Sequence, residues 1–163
     1  MHPKPCRIGG QIKLALASGT LAILANTALL MAADQAGIAT AHGGLLTLLR
    51  AWTHIPDAGL ATSWPFQLAF HFCVGIAMAI FYGLIAGDPR KHSITKSFSY
   101  ALAVWLANAC VVLPLIGQGF AGSHVLSFSG IVLFALAHTT FFMVNGLLLS
   151  GFSKNQRARL LPD

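Results

Sequence analysis

Residues 64–86 read WPFQLAFHFCVGIAMAIFYGLIA, 23 positions without a single Asp, Glu, Lys or Arg. A helix needs about 20 predominantly apolar residues to cross the hydrocarbon core of a bilayer, so this stretch has the length and the composition of a membrane span. Trp64 stands at its edge, where an aromatic ring suits the headgroup region. Three further stretches read the same way, roughly 12–33, 98–117 and 125–152, with Lys13 at the edge of the first as their only Lys, Arg, Asp or Glu. Composition agrees: of 163 residues, 56% are hydrophobic and 9% charged, and mean hydropathy is +0.72. A soluble domain carries about 25% charged residues. A soluble enzyme, a disordered chain and a nucleic-acid-binding domain are therefore excluded. The fold expected is all-α, an integral membrane four-helix bundle forming one transmembrane domain over residues 1–163. The first stretch exceeds the apolar core of a secretory signal, which runs to about 15 residues at most. It also lacks a good small-x-small cleavage site, because Met31 precedes Ala33 by two positions. It reads as a retained helix.

The basic residues set the orientation. Lys4, Arg7 and Lys13 lie before or at the start of span one; Arg90, Lys91 and Lys96 lie between spans two and three; Lys154, Arg157 and Arg159 follow span four. Arg50 alone lies between spans one and two, and the third connection has no Lys or Arg. Basic residues stay on the cytoplasmic side, so both termini are expected there. The net charge of +6 is then a topology device beside anionic headgroups. The bilayer is the partner it implies, and no nucleic acid is needed.

Residues 87–97 make a short polar link opening on Gly87-Asp88-Pro89, which predicts that spans two and three form an antiparallel hairpin. Pro114 is expected to bend or end span three, before a glycine-rich loop with Gly117, Gly119 and Gly122. The first connection is longer. Leu45, Leu46, Leu48, Leu49 and Trp52 alternate there with Thr47, Arg50 and His54. That pattern predicts a short helix on the outer membrane surface or folded over the bundle mouth, broken by Pro56-Asp57-Ala58-Gly59. Cys6, Cys73 and Cys110 form no paired framework, and the two within spans read as buried structural thiols.

Lipid tails give helices no hydrophobic reason to associate, so small residues mark close contacts. Gly75, Ala79, Gly83 and Gly87 recur every fourth residue below His71; Ala15, Gly19, Ala22 and Asn26 form a related stripe on span one. These are helix–helix contact faces: simple packing is the plain reading, and self-association or docking on a larger partner the functional one. The polar residues inside the spans are Asn26, His71, Asn108, His138 and Asn145, with Thr27, Thr139 and Thr140 nearby. Counted from the helix ends, they suggest a polar seam running from the outer face towards the midplane. An ionisable group inside the membrane is a functional candidate; a neutral His or Asn also serves as an interhelical hydrogen-bonding group. His42, His54 and His124, with Asp34 and Asp57, read as solvated loop groups, with a pH-responsive or metal-binding patch as the sharper alternative.

Absences narrow the chemistry. The chain has no Glu, and its four Asp residues lie outside the spans or at their ends. No Gly-x-Ser-x-Gly, His-Glu-x-x-His or P-loop occurs, and Ser18, Ser129 and Ser150 have no evident base. No catalytic residue, metal-ligand set or cofactor is assigned. A haem held by His71 and His138 would need ligands at similar depth, and these differ by roughly 10 Å along the membrane normal.

Three segments carry a family resemblance: His71-Phe72-Cys73-Val74-Gly75, Leu113-Pro114-Leu115-Ile116-Gly117-Gln118-Gly119-Phe120, and Ala137-His138-Thr139-Thr140-Phe141-Phe142. With the four-span layout they resemble the YagU-like group of small uncharacterised bacterial inner-membrane proteins. The resemblance implies an inner-membrane location and a loose association with acid resistance, and brings no catalytic residues. The function expected is a non-enzymatic membrane protein, an accessory subunit or a stress-related bundle, alone as a homo-oligomer or in a larger membrane complex. Two alternatives use the same seam: a proton-linked or small-solute channel or carrier, and a haem- or metal-bearing electron-transfer subunit.

Overall fold

The computed structural model describes residues 5–41, 43–54, 62–89, 91 and 93–160, and all their side chains except those of residues 5–8, 157, 159 and 160. Lys4, His42, the Pro56–Gly59 break with Asp57, and Arg90 lie outside the described residues, as do the side chains of Cys6, Arg7, Arg157 and Arg159. Five helices follow one another: α1 (Pro5–Gln35), α2 (Gly44–Thr53), α3 (Trp64–Ile85), α4 (Ser93–Leu115) and α5 (Phe128–Leu160). Among the described residues there is no strand. All but α2 are long and apolar enough to cross a membrane, and the chain is a multi-pass membrane protein. The helices α1, α4 and α5 overrun the expected spans at their polar ends. Hydropathy marks where apolar surface stops, while a helix continues as long as its backbone bonds are made. At its other end α5 starts later than expected, at Phe128, because Ser127 Oγ accepts the Gly130 N–H at 3.2 Å as an N-cap.

The two helices that run towards α2 end in the same device. After α1 the Ile38 N–H donates to Ala33 O at 2.9 Å and the Gly37 N–H to Asp34 O at 3.0 Å. After α4 the Gln118 N–H donates to Leu113 O at 2.9 Å and the Gly117 N–H to Pro114 O at 3.0 Å. Both are Schellman ends, with a glycine at φ +71° and +79° where a side chain would be strained. Pro114 acts earlier. It lacks an N–H and would crowd the carbonyl four residues back, and the turn just before it, Asn108–Val112, widens to π geometry. So α4 is deformed by Pro114 and terminated by Gly117.

Helix α1 packs against α3 and α5, and α4 against α5. The α1–α3 contact is built from the two small-residue stripes, which run antiparallel in register. A Cβ on Gly19 would collide with Ala79 Cβ. One on Gly75 would stand 2.5 Å from Ile23 Cδ1, and one on Gly83 3.0 Å from Ala15 Cβ. The face formed by Gly19, Gly75, Ala79 and Gly83 is thus filled within the chain. The contact faces expected on these two spans meet each other within the chain. Two stripes with one spacing fit each other, and the covalent connection brings them together first.

At the end holding both termini, Tyr82 OH and Ser97 Oγ lie 2.9 Å apart and tie α3 to α4. Tyr100 meets Tyr82 and Phe142 at ring centroids 5.4 and 4.7 Å away. Lys96 Nζ donates to Ala86 O at 2.7 Å and Asp88 O at 3.1 Å, capping the carbonyl end of α3. The two spans are therefore joined as a hairpin at this end. Elsewhere α3 leans mainly on α1.

The cysteines need a correction. Cys73 and Cys110 are both exposed, on helix faces that would meet lipid. Cys73 lies two positions past His71, about 200° around the helix, opposite the packed stripe. In a membrane helix the lipid face is as apolar as the core, so hydropathy does not separate them.

Candidate functional site

A cavity of about 210 Å³ opens between the helices at the α2 end. Its walls are mostly apolar, with Ile23, Val74, Met78 and Phe141 among them, and Trp64, Gln67 and Asp34 stand near its mouth. Asn26, His71, Asn108 and His138 all line it. The structure therefore gathers four of the five residues of the expected seam around one space.

Asn26 organises it. Its Nδ2 donates to the carbonyl of Ala137 on α5 at 2.8 Å. A carbonyl only accepts, so the amide orientation is fixed and Oδ1 faces His71 on α3. His71 Nε2 stands 3.1 Å away and is the donor. One side chain thereby joins three helices, and the tautomer of a neutral His71 follows. Asn26 is itself buried, where an unmade hydrogen bond would be costly.

His138 is set by its own helix. Nδ1 donates to Phe134 O at 2.9 Å, and the ring meets Phe134 edge-on with centroids 4.5 Å apart. Asn108 opens the π turn, and its Nδ2 donates to Val104 O at 3.0 Å. Thr27, next to Asn26, also lines the cavity, and its buried Oγ1 has no hydrogen-bond partner.

Asn145 does not belong to this group. It is fully buried closer to the terminal end, where its Oδ1 accepts from Ser18 Oγ at 2.8 Å and its Nδ2 has no partner. Sequence spacing put it on the same face of α5 as His138. Seven residues along a helix is also about 10 Å of depth, and between the two levels Phe142 is fully buried. The seam is thus two separate polar contacts, one beside a cavity and one enclosed in packing.

Helix α2 covers the mouth. Gly44, Leu46 and Leu48 are buried, and a Cβ on Gly44 would stand 3.0 Å from Leu113 Cδ2 at the end of α4. Of the two placements expected for this helix, the structure has the one over the bundle. Residues Ala41, Gly43, Gly44 and Leu46 are shared with a second, polar recess of about 280 Å³ that includes Thr40, Thr47, Arg50 and Gln118.

Two of the loop histidines, His54 and His124, are turn elements. His54 is the left-handed cap residue of α2, its N–H bonded to Arg50 O. His124 Nδ1 lies 3.2 Å from Gly117 O and closes the loop after α4. Among the described residues no group of three or more His, Cys, Asp or Glu is placed to hold a metal ion. The Tyr82–Ser97 pair was not foreseen. The four-residue step from Ser97 to Ala101, both buried, was the available signal, the same small-residue spacing that marks α1 and α3. No family model, curated protein or solved structure matches the chain.

Proposed function

We propose that this membrane protein binds a small, mostly apolar molecule in a pocket that is closed at the end holding the helix α1 start and the helix α5 finish. One observation carries the reading. The cavity reaches from the α2 end down to Val74, Met78 and Phe142, and beyond it the helices close on Ala15, Ala79, Tyr82, Ala101 and Leu149, all buried. Apolar walls with a few convergent polar groups are the usual make-up of a small-molecule site. Lys13, Lys91, Lys96 and Lys154 lie in segments at the opposite end, so the pocket opens towards the non-cytoplasmic side. The YagU-like resemblance supports a bacterial inner membrane as its location. Binding of this kind suits a non-enzymatic accessory or stress-related protein. A continuous channel is less well served, because the polar contacts are interrupted by packed apolar side chains.

The test uses bromobenzene, an apolar heavy-atom quencher, with the protein in lipid nanodiscs. In a background carrying Trp52→Phe and Trp105→Phe, the remaining fluorescence comes from Trp64 at the mouth. Quenching that saturates as bromobenzene is added, and becomes linear when Val74→Phe fills the cavity, is the expected result. Linear quenching in both proteins would mean simple partition into lipid and would remove the proposal.

A further inference from the structure

The polar groups around the cavity differ in what they leave unused. Asn26 spends its oxygen and its nitrogen on His71 and Ala137. His138 spends only Nδ1, which must be protonated because Phe134 O can only accept. In the neutral ring Nε2 is then a lone-pair acceptor, and it meets no protein hydrogen-bond partner among the described residues.

Thr27 supplies a second, independent observation. Helical threonines commonly return their hydroxyl to the carbonyl one turn back, and Thr20, Thr47, Thr53 and Thr139 all do so, at 2.7–3.2 Å. Thr27 does not: its Oγ1 is buried beside the cavity with no partner. Asn26 and Ala137 are hydrogen-bonded to each other. Thr27 and His138, the next residue along each chain, both line the cavity.

We infer that the pocket selects an uncharged, hydroxyl-bearing apolar molecule, phenol-like or alcohol-like, over an apolar molecule of the same size without the hydroxyl. The inference rests on the pocket reading above. The ligand O–H donates to His138 Nε2, and its oxygen accepts from Thr27 Oγ1–H. A hydroxyl satisfies an acceptor and a donor at once. A ketone or ether supplies no proton to Nε2, and a charged head would have to leave water for walls that are mostly apolar.

The same nanodisc quenching assay separates the two claims, using 4-bromophenol and its methyl ether 4-bromoanisole, compared at equal membrane concentration and neutral pH. In the otherwise unaltered Trp64 protein the phenol is expected to saturate at about tenfold lower concentration than the ether, the scale of one well-made hydrogen bond in a dry site. His138→Leu should bring the phenol to the level of the ether and leave the ether within about twofold. Thr27→Val, which keeps the shape and removes the hydroxyl, should take away a smaller part of the preference. Equal saturation by the two probes in the unaltered pocket overturns the hydroxyl inference and leaves the pocket intact, and that comparison needs no variant at either site. An undiminished preference in His138→Leu also overturns it. If neither probe saturates, the pocket reading falls as well.

Discussion

The two halves of this bundle solve the same packing problem in opposite ways. At the terminal end small residues let the backbones approach until no space is left: Gly19 admits Ala79, and Gly146 admits Ser97 Oγ, where a Cβ would collide. At the α2 end a cavity of about 210 Å³ remains between the helices, edged by hydrogen-bonding groups. Both halves contain a buried asparagine. Asn26 uses both ends of its amide to join three helices beside the cavity; Asn145 uses one and sits in closed packing. Polar residues of one kind therefore support a site in one half and only a contact in the other. The difference lies in the volume around them.

The sharpest way to break this contrast is to enlarge a residue of the closed half. Gly19→Leu should destabilise the folded protein by about 3 kcal/mol or more, since even a Cβ on Gly19 collides with Ala79 Cβ and α3 would have to part from α1. Unfolding in a graded detergent mixture measures it, and wild-type stability would show that the stripes are not in contact. Ala79→Leu should act in the same direction on the monomer itself, not only on any oligomer.

Removing Asn26 comes next. Asn26→Leu cuts links to α3 and α5 together, and a loss of about 1–2 kcal/mol is expected, near the upper range for polar contacts in membrane helices. A double-mutant cycle with His71→Phe should show coupling between the two residues; additive losses would mean that the Asn26–His71 bond contributes nothing. Asn145→Leu should cost less, within about 1 kcal/mol, because it also removes a buried amide nitrogen that has no partner. If Asn145→Leu proves as harmful as Asn26→Leu, the two contacts are equivalent and the contrast fails. The smallest effect belongs to the lipid face. Cys73→Ala and Cys110→Ala should each leave stability within about 0.5 kcal/mol in the same detergent unfolding.

Much of this architecture was legible without coordinates. Four spans follow from uncharged stretches of membrane length, and α2 from its apolar and polar spacing. Asn26, His71, Asn108 and His138 stood out because polar groups inside a span are conspicuous. Thr27 was named only as a companion, and its distinction is a buried hydroxyl without a partner, which no residue pattern reveals. The exposure of Cys73 and Cys110 was misread because lipid and core are equally apolar to a hydropathy scale.

The residues alone determined that the chain is helical, how many helices are long enough to span a membrane, and which faces are small enough for close approach. Each of these is a local property, readable from length, charge and a four-residue spacing. Only the tertiary structure decided that the stripes of α1 and α3 meet each other, that Asn145 is cut off from the other polar residues, and that His138 and Thr27 line one cavity. Those depend on how helices far apart in sequence sit in depth and rotation. In an apolar solvent that is settled by shape and a few hydrogen bonds, and hydropathy records neither.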